Sequence, residues 1–194
     1  MKRFKFHSLI AAVALATGLQ AGAQTTAQFH PFNVRTEFAL NGFDWLRGSG
    51  ALLCAGDSTA SNAMTIGWGG IGTLWGRDAI TVYVAPGRYT HSFMEQARYF
   101  TVMTFSDEKV LRYMGSHSGR DGDKAAALGL HTLYTANGTP YYAEADMVIE
   151  ARIIYGRAFD PDAFRDDVPR RFYANFPAGI HYEYIGEVVM AMRK

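Results

Sequence analysis

Residues 61–76 read Ser-Asn-Ala-Met-Thr-Ile-Gly-Trp-Gly-Gly-Ile-Gly-Thr-Leu-Trp-Gly, and this stretch is the most informative part of the chain. It combines short polar side chains with five glycines and two tryptophans, and it leads into the β-branched stretch Ala79–Val84. Glycine lets a ligand touch backbone amides because no Cβ stands in the way, and an indole ring offers a flat apolar surface. The combination favours a site for a planar ligand that carries a phosphate group.

Three of these glycines, Gly67, Gly69 and Gly72, match the dinucleotide motif G-x-G-x-x-G. That motif binds dinucleotides where it joins a strand to a helix and is followed, about twenty residues on, by an acidic residue. Here the next element, Ala79–Val84, is typical of a strand, and Ser92 stands near the position that the acidic residue would take. The sequence therefore argues against a Rossmann fold.

The first 23 residues have the pattern of an export signal. Basic residues come first, the apolar run Leu9–Leu19 follows, and Ala21-Gly22-Ala23 forms a small-x-small cleavage site. The run is too short for a membrane span, which needs about 20 apolar residues. We expect a signal peptide over residues 1–23, a leader over 24–44, one domain over 45–194 and a periplasmic location. The alternative is a disordered or membrane-anchoring N-terminus.

Charge and cysteine content exclude several classes of protein. The chain has 19 Lys and Arg against 18 Asp and Glu, and removal of the signal would take basic residues only. Such a balance gives no basic surface for nucleic acid. The single cysteine, Cys54, excludes an intramolecular disulfide. Its apolar neighbours, Ala51–Ala55, indicate a core position.

The chain is dominated by segments rich in β-branched and aromatic residues, bounded by Gly, Pro, Asp or Asn. The predicted strands are Ala51–Ala55, Met64–Trp68, Ala79–Val84, Phe100–Phe105, Met147–Tyr155 and Tyr182–Met190, with a hairpin turn at Asn137-Gly138 between His131–Tyr134 and Tyr141–Ala143. Short helices are predicted over His91–Arg98, Asp107–Met114 and Asp121–Leu128, with Thr90, Ser106 and Asp121 at their starts. This pattern predicts a mainly β barrel with short helical insertions.

Two further segments offer groups that suit an anion. Pro86–His91 carries a guanidinium and a hydroxyl just after a strand, and Gly115–Lys124 carries hydroxyls and cations on a glycine-flanked turn. Each has a plainer interpretation: Arg88 as a surface cation, residues 116–119 as an ordinary polar turn, and Trp68 and Trp75 as barrel core.

Other chemistries find little support. A Ser118–His117 hydrolase lacks the G-x-S-x-G elbow. The histidines His30, His91, His117, His131 and His181 show no metal-ligand spacing. We therefore expect no metal site.

Four motifs, taken in order, resemble the flavin reductase-like family and most closely its flavoredoxin-like branch. They are Asn62-Ala-Met-Thr-Ile-Gly-Trp68, Leu74-Trp75-Gly76, Arg88-Tyr89-Thr90 and Ser116-His117-Ser118-Gly119-Arg120-Asp121-x-Asp123-Lys124. The resemblance extends from Trp45 to Val189. It implies an FMN-binding split β-barrel that is mainly β with short helical insertions. Members are usually homodimers with flavin near the subunit interface, and they pass electrons from a reduced donor through FMN to an acceptor.

The resemblance also implies roles for individual residues. Contacts to the flavin ring and ribityl chain would come from Asn62, Ala63, Met64, Thr65, Ile66, Gly67 and Trp68. The phosphate end would lie at Arg88, Tyr89 and Thr90, and the site would be closed by Ser116, His117, Ser118, Gly119, Arg120 and Lys124. His181 and Tyr184 would face the donor or acceptor, or else pack the end of the barrel. No catalytic side chain is expected, because the flavin carries the redox chemistry.

The cofactor and the electron donor are separate questions. Arg88, Arg120 and Lys124 favour FMN over riboflavin or FAD, since three cations at one end of the ligand suit a phosphate dianion. The export signal is unusual for the family, and reduced nicotinamide is a cytosolic donor. Two alternatives therefore stay open: an exported FMN electron carrier without NAD(P)H activity, and a barrel that binds another ligand without redox work. The sequence identifies neither donor nor acceptor.

Overall fold

The computed structural model describes residues 28–48 and 50–194, so the predicted signal peptide lies outside the described residues. The strands are β1 (His30–Pro31), β2 (Ala51–Gly56), β3 (Ser61–Ile66), β4 (Gly69–Leu74), β5 (Arg77–Val84), β6 (Tyr99–Thr104), β7 (Thr132–Tyr134), β8 (Pro140–Tyr142), β9 (Met147–Ala158) and β10 (Tyr182–Arg193). The helices are α1 (Val34–Glu37), α2 (Tyr89–Met94), α3 (Glu108–Ser116), α4 (Lys124–Leu128) and α5 (Asp167–Ala174), with a 3₁₀ turn at Pro161–Ala163. The prediction of a mainly β split barrel is confirmed.

One antiparallel sheet forms the body of the protein, in the order β3-β2-β6-β9-β10-β5-β4, with β1 added to β10. The consecutive strands β3 and β4 lie at opposite ends of this order. β3 and β4 are therefore the two free edges of the sheet, and the chain passes from one edge to the other between Ile66 and Gly69. β7 and β8 form a separate hairpin, as the Asn137-Gly138 signal predicted.

Both faces of the sheet are covered, which explains its continuous apolar strands. Side chains alternate between the two faces of a strand. In β2, Leu53 accordingly enters one core cluster with Phe100, while Leu52 enters another with Met114 of α3. Gly186 of β10 makes room for Phe100, because an added Cβ there would lie 2.7 Å from the ring.

The predicted strands are all present, with shifted ends, but β4 and α5 were not predicted. β4 is rich in glycine and so lacked the strand pattern. Two predicted N-caps are wrong: the caps are Asp107 for α3 and Asp123 for α4, each of which accepts from the amide two residues on. Thr90 is not a cap either, because α2 begins at Tyr89 after Arg88.

The described part of the leader predicted over residues 24–44 is packed on the barrel and is not separate from the domain. β1 pairs with the end of β10, and Phe32 and Phe38 pack against the core. Arg35 of α1 forms a 2.7 Å ion pair with Asp78 of β5. The barrel domain thus includes the chain from about residue 30.

Candidate functional site

A cavity of about 230 Å³ opens where four parts of the chain meet: the free edge of β3, the loop before α2, the end of α3 and the turn before α4. The sequence-predicted residues that line it are Asn62, Met64, Thr65, Arg88, Tyr89, Thr90, Ser116, His117, Ser118, Gly119, Arg120 and Lys124. Gly87, Met114 and Gly115 line it as well. Twelve of the sixteen residues assigned to the cofactor therefore share one cavity.

The edge of β3 supplies backbone groups to this cavity. Ala63 pairs with Cys54 of β2 in regular antiparallel register, yet its carbonyl accepts from the side chain of Lys124. That carbonyl therefore points away from β2. Because the amide and carbonyl of one residue in an antiparallel strand lie on the same side, the backbone of Ala63 and Thr65 faces the free edge. A planar ligand laid along β3 would find hydrogen-bonding groups there.

Lys124 ties the walls of the cavity together. Its Nζ donates to the carbonyls of Ala63 at 2.6 Å, Met114 at 3.0 Å and His117 at 3.2 Å. An ammonium has three donors, so all of them are used inside the protein. Burial lowers the pKa of Lys124 below its usual 10.5. The side chain carries positive charge into the cavity wall but keeps no donor for a ligand.

A second link joins β3 to α2 and to the turn before α4. Asn62 is buried, and its Nδ2 donates to Oγ1 of Thr90 at 2.7 Å. Gly119 packs on the same side chain so closely that an added Cβ would lie 2.0 Å from Asn62 Oδ1. This close approach requires glycine at position 119 and fixes the distance between the two predicted anion segments.

The two arginines at the cavity differ in how they are held. Arg120 lies over the Tyr89 ring, 4.9 Å from its centroid, and donates to the carbonyl of Gly87 at 3.3 Å. Arg88 is exposed, and its guanidinium has no hydrogen bond or ion pair with any residue that the structure describes. Among the described residues, no carboxylate lines the cavity. Arg88 is therefore a free cation facing a site without a counter-charge.

The rim residues Ser116, His117 and Ser118 are occupied by local contacts. Ser116 donates to the carbonyl of Arg112 at 2.8 Å, and the His117 ring stacks on Tyr113 with centroids 3.9 Å apart. Ser118 Oγ accepts from the amide of Arg120 at 3.2 Å. These contacts shape the turn, and no acidic residue joins them in a hydrolase-like arrangement within the described chain.

Six predicted site residues lie elsewhere. Ala63 contributes only backbone groups at the edge of β3, Ile66 is buried in the core, and Gly67 and Trp68 follow the end of β3. Trp68 is 48% exposed, so neither it nor Trp75 at 69% is barrel core. Of the two donor-side candidates, Tyr184 packs inside the barrel, as its alternative interpretation held, and His181 lies in an aromatic cluster with Trp68.

His181 and His91 are both buried with pKa values held below 6.5. Burial is the main cause of the lowered pKa of each ring. The charge of Arg88 lowers the pKa of His181 further, whereas Glu95 raises that of His91.

The stability of the protein should therefore depend on pH. As the pH falls below 6.5, the unfolded chain takes up protons at His91 and His181 before the folded chain does, so the free energy of unfolding should fall. Urea denaturation between about pH 7 and pH 5 measures this loss. A His91→Phe/His181→Phe variant should show a flatter profile, and a slope parallel to that of the parent would contradict the assignment.

Within residues 28–48 and 50–194, no helix is long and apolar enough to cross a membrane. The same residues contain no group of three or more His, Cys, Asp or Glu side chains that could hold a metal ion.

Known proteins that resemble this chain in sequence or structure include flavin-related proteins. The sequence matches the family described as "Flavin reductase like domain" over residues 48–192. Flavoredoxin from Methanosarcina acetivorans is 22% identical with a TM-score of 0.58, over 74% of this chain and 67% of that one. An FMN-binding protein from Thermus thermophilus with bound p-hydroxybenzaldehyde is 20% identical with a TM-score of 0.59, over 95% and 82%. An NADH:FAD oxidoreductase from Streptomyces globisporus is 19% identical with a TM-score of 0.55, over 75% and 74%. No curated protein sequence matches the chain significantly.

Proposed function

Because the chain belongs to the flavin reductase-like family, we propose that it binds FMN in the cavity beside Arg88 and passes electrons through it from a reduced donor to an acceptor. The observation that carries the proposal is the free Arg88 guanidinium at a cavity without carboxylates. The flavin supplies the electron-transfer chemistry when it is bound. The protein has to bind it, orient it and control what reaches it.

The residues present fit such a cofactor at both ends. A phosphate needs charge-assisted hydrogen bonds, which Arg88 can supply directly and Arg120 after releasing a long 3.3 Å contact to Gly87. A planar ring needs a flat surface with backbone donors and acceptors, which the free edge of β3 offers beside Met64 and Thr65. Lys124 supports the wall and does not bind the phosphate itself, in contrast to the direct role expected from the sequence.

Titration with flavins tests the phosphate assignment. FMN should bind at least about tenfold more tightly than riboflavin, since loss of even one charge-assisted hydrogen bond costs this much. FAD should bind more weakly than FMN, because its second nucleotide replaces one charge of the terminal phosphate. Quenching of flavin fluorescence gives the three dissociation constants. Equal affinity for riboflavin and FMN would overturn the assignment.

The identity of the electron donor is a separate question. The oxidoreductase from Streptomyces favours reduced nicotinamide, whereas the proposed export to the periplasm favours another electron carrier. We infer the second, an exported carrier of the flavoredoxin type. Steady-state oxidation of NADH and NADPH by the FMN-loaded protein distinguishes the two, and fast turnover would reject our choice. Detection of mature chains beginning near Gln24 in a periplasmic fraction tests the export.

We also propose a homodimer, in keeping with the family resemblance and with the prevalence of two-fold oligomers. The exposed Trp75 at the β4–β5 turn and the uncovered edge of β4 are compatible with such an interface. A monomer in light scattering at micromolar concentration would contradict it.

A further inference from the structure

We name the segment between β9 and β10, residues 159–180, the aromatic arm; it contains the 3₁₀ turn and α5. It leaves the sheet after Ala158 and returns at Tyr182, and these two residues are register partners in the sheet. The amide of Phe159 also bonds to the carbonyl of His181 at 3.0 Å. Both ends of the arm are thus held side by side, so the arm can move without breaking any strand pairing.

The arm is bound together internally. The rings of Phe164 and Tyr173 stack at 9° with centroids 5.6 Å apart. Arg170 donates to the carbonyl of Phe164 at 2.6 Å. These contacts join α5 to the stretch before it, so residues 164–173 would move as one piece.

The arm rests on the barrel through aromatic rings. Phe172 meets Trp68 at 5.3 Å, and Phe176 stacks on His181 at 5.2 Å and 16°. Tyr173 adds a hydrogen bond between its hydroxyl and Nδ1 of His181 at 3.1 Å. No residue of α5 is buried. A segment whose helix has no buried residue and which is held by a few ring contacts opens more readily than a core element.

One end of the arm is fixed more firmly than the rest. The amide of Gly87 donates to the carbonyl of Ala178 at 2.9 Å, and a Cβ added to Gly87 would lie 2.9 Å from the Ala178 backbone. Gly179 follows with φ of +84°, a conformation that favours glycine. The arm is therefore anchored at the loop that carries Arg88, and the part that can move is the stretch before Ala178, which contains α5.

Two contacts place the arm next to the cavity. Trp68, on which Phe172 rests, lies just beyond β3, whose residues Met64 and Thr65 line the cavity. The anchored end touches Gly87, which lines the cavity too. We propose that the aromatic arm is a movable cover at the mouth of the flavin site, held in place by Phe172 on Trp68. This rests on the proposed function, because a cover implies a bound flavin beneath it.

A Phe172→Ala variant tests the cover through rate constants. If the arm gates the site, easier opening speeds both arrival and departure of FMN by the same factor, roughly fivefold for the loss of the Phe172 contacts with the Trp68 and His181 rings. The dissociation constant should then be unchanged. Val168→Ala is the matched control, because Val168 is on the same helix and is 63% exposed. Stopped-flow fluorescence of FMN gives both rate constants.

Two results would overturn the cover. A faster departure alone would mean that Phe172 is a fixed wall against the ligand, and unchanged rates would mean that the arm does not move on this pathway. Hydrogen exchange of the ligand-free protein tests the opening of the arm separately: the α5 amides should exchange roughly fivefold faster in Phe172→Ala, with β9 and β10 unchanged. If FMN failed to bind, the proposed function would fall, while α5 exchange would still decide whether the arm opens.

Discussion

Replacing Arg88 with alanine is expected to weaken FMN binding by about 10- to 150-fold, which corresponds to about 1.5–3 kcal/mol for hydrogen bonds to a charged group. The reason is that Arg88 is exposed and unpaired among the described residues, so its donors are available to a phosphate. Arg120 already rests on Tyr89 and Gly87 and offers less. Fluorescence titration with FMN measures the change.

The variant should leave folding intact, because the Arg88 side chain makes no hydrogen bond within the described chain. Arg157→Ala on β9 is a suitable control, since Arg157 is exposed and does not line the cavity. Riboflavin adds a second control: lacking the phosphate, it should bind the parent and the Arg88→Ala protein with equal affinity. An unchanged dissociation constant for FMN would return Arg88 to its interpretation as a surface cation.

Replacing Lys124 with methionine should cost about 2–5 kcal/mol of unfolding free energy, because buried acceptors that lose their donor cost about 1–3 kcal/mol each. Lys124 Nζ serves three carbonyls, and those of Ala63 and Met114 belong to buried residues. Methionine fills similar space and isolates the loss of the ammonium. Urea denaturation measures the change.

Lys109→Met on α3 provides the control, since Lys109 is an exposed lysine and the change should stay within about 0.5 kcal/mol. FMN affinity of Lys124→Met should also fall, because the link between the β3 edge and the end of α3 is lost. A variant as stable as the parent would show that the three carbonyls find other partners and that Lys124 does not organise the site.

The strand framework could be predicted because its residues carry the signal locally. Alternating β-branched residues in Ala79–Val84 and the Asn137-Gly138 turn each indicate their structure without reference to the rest of the chain. β4 lacks this signal, since Gly69, Gly70 and Gly72 have no side chains to alternate. Its strand conformation comes from pairing with β5, which is a tertiary interaction.

The sequence could predict which residues form the candidate site, but it could not predict the role of each one. Lys124 and Arg88 are both basic residues in segments suited to an anion. Only the folded chain shows that Lys124 donates all three of its hydrogen bonds to carbonyls, while the Arg88 guanidinium has no partner among the described residues. The aromatic arm was missed for a similar reason: Phe172 and Phe176 form a cluster only because the pairing of β4, β5 and β10 brings His181 beside Trp68.

If this cavity holds a flavin, the absorbance spectrum of the protein will show it. The protein should be mixed with excess FMN, passed through a gel-filtration column and scanned together with the Arg88→Ala variant. We expect stoichiometric flavin absorbance to elute with the parent protein and to be much reduced in the variant. A parent protein that elutes without flavin absorbance would show that the cavity does not bind FMN.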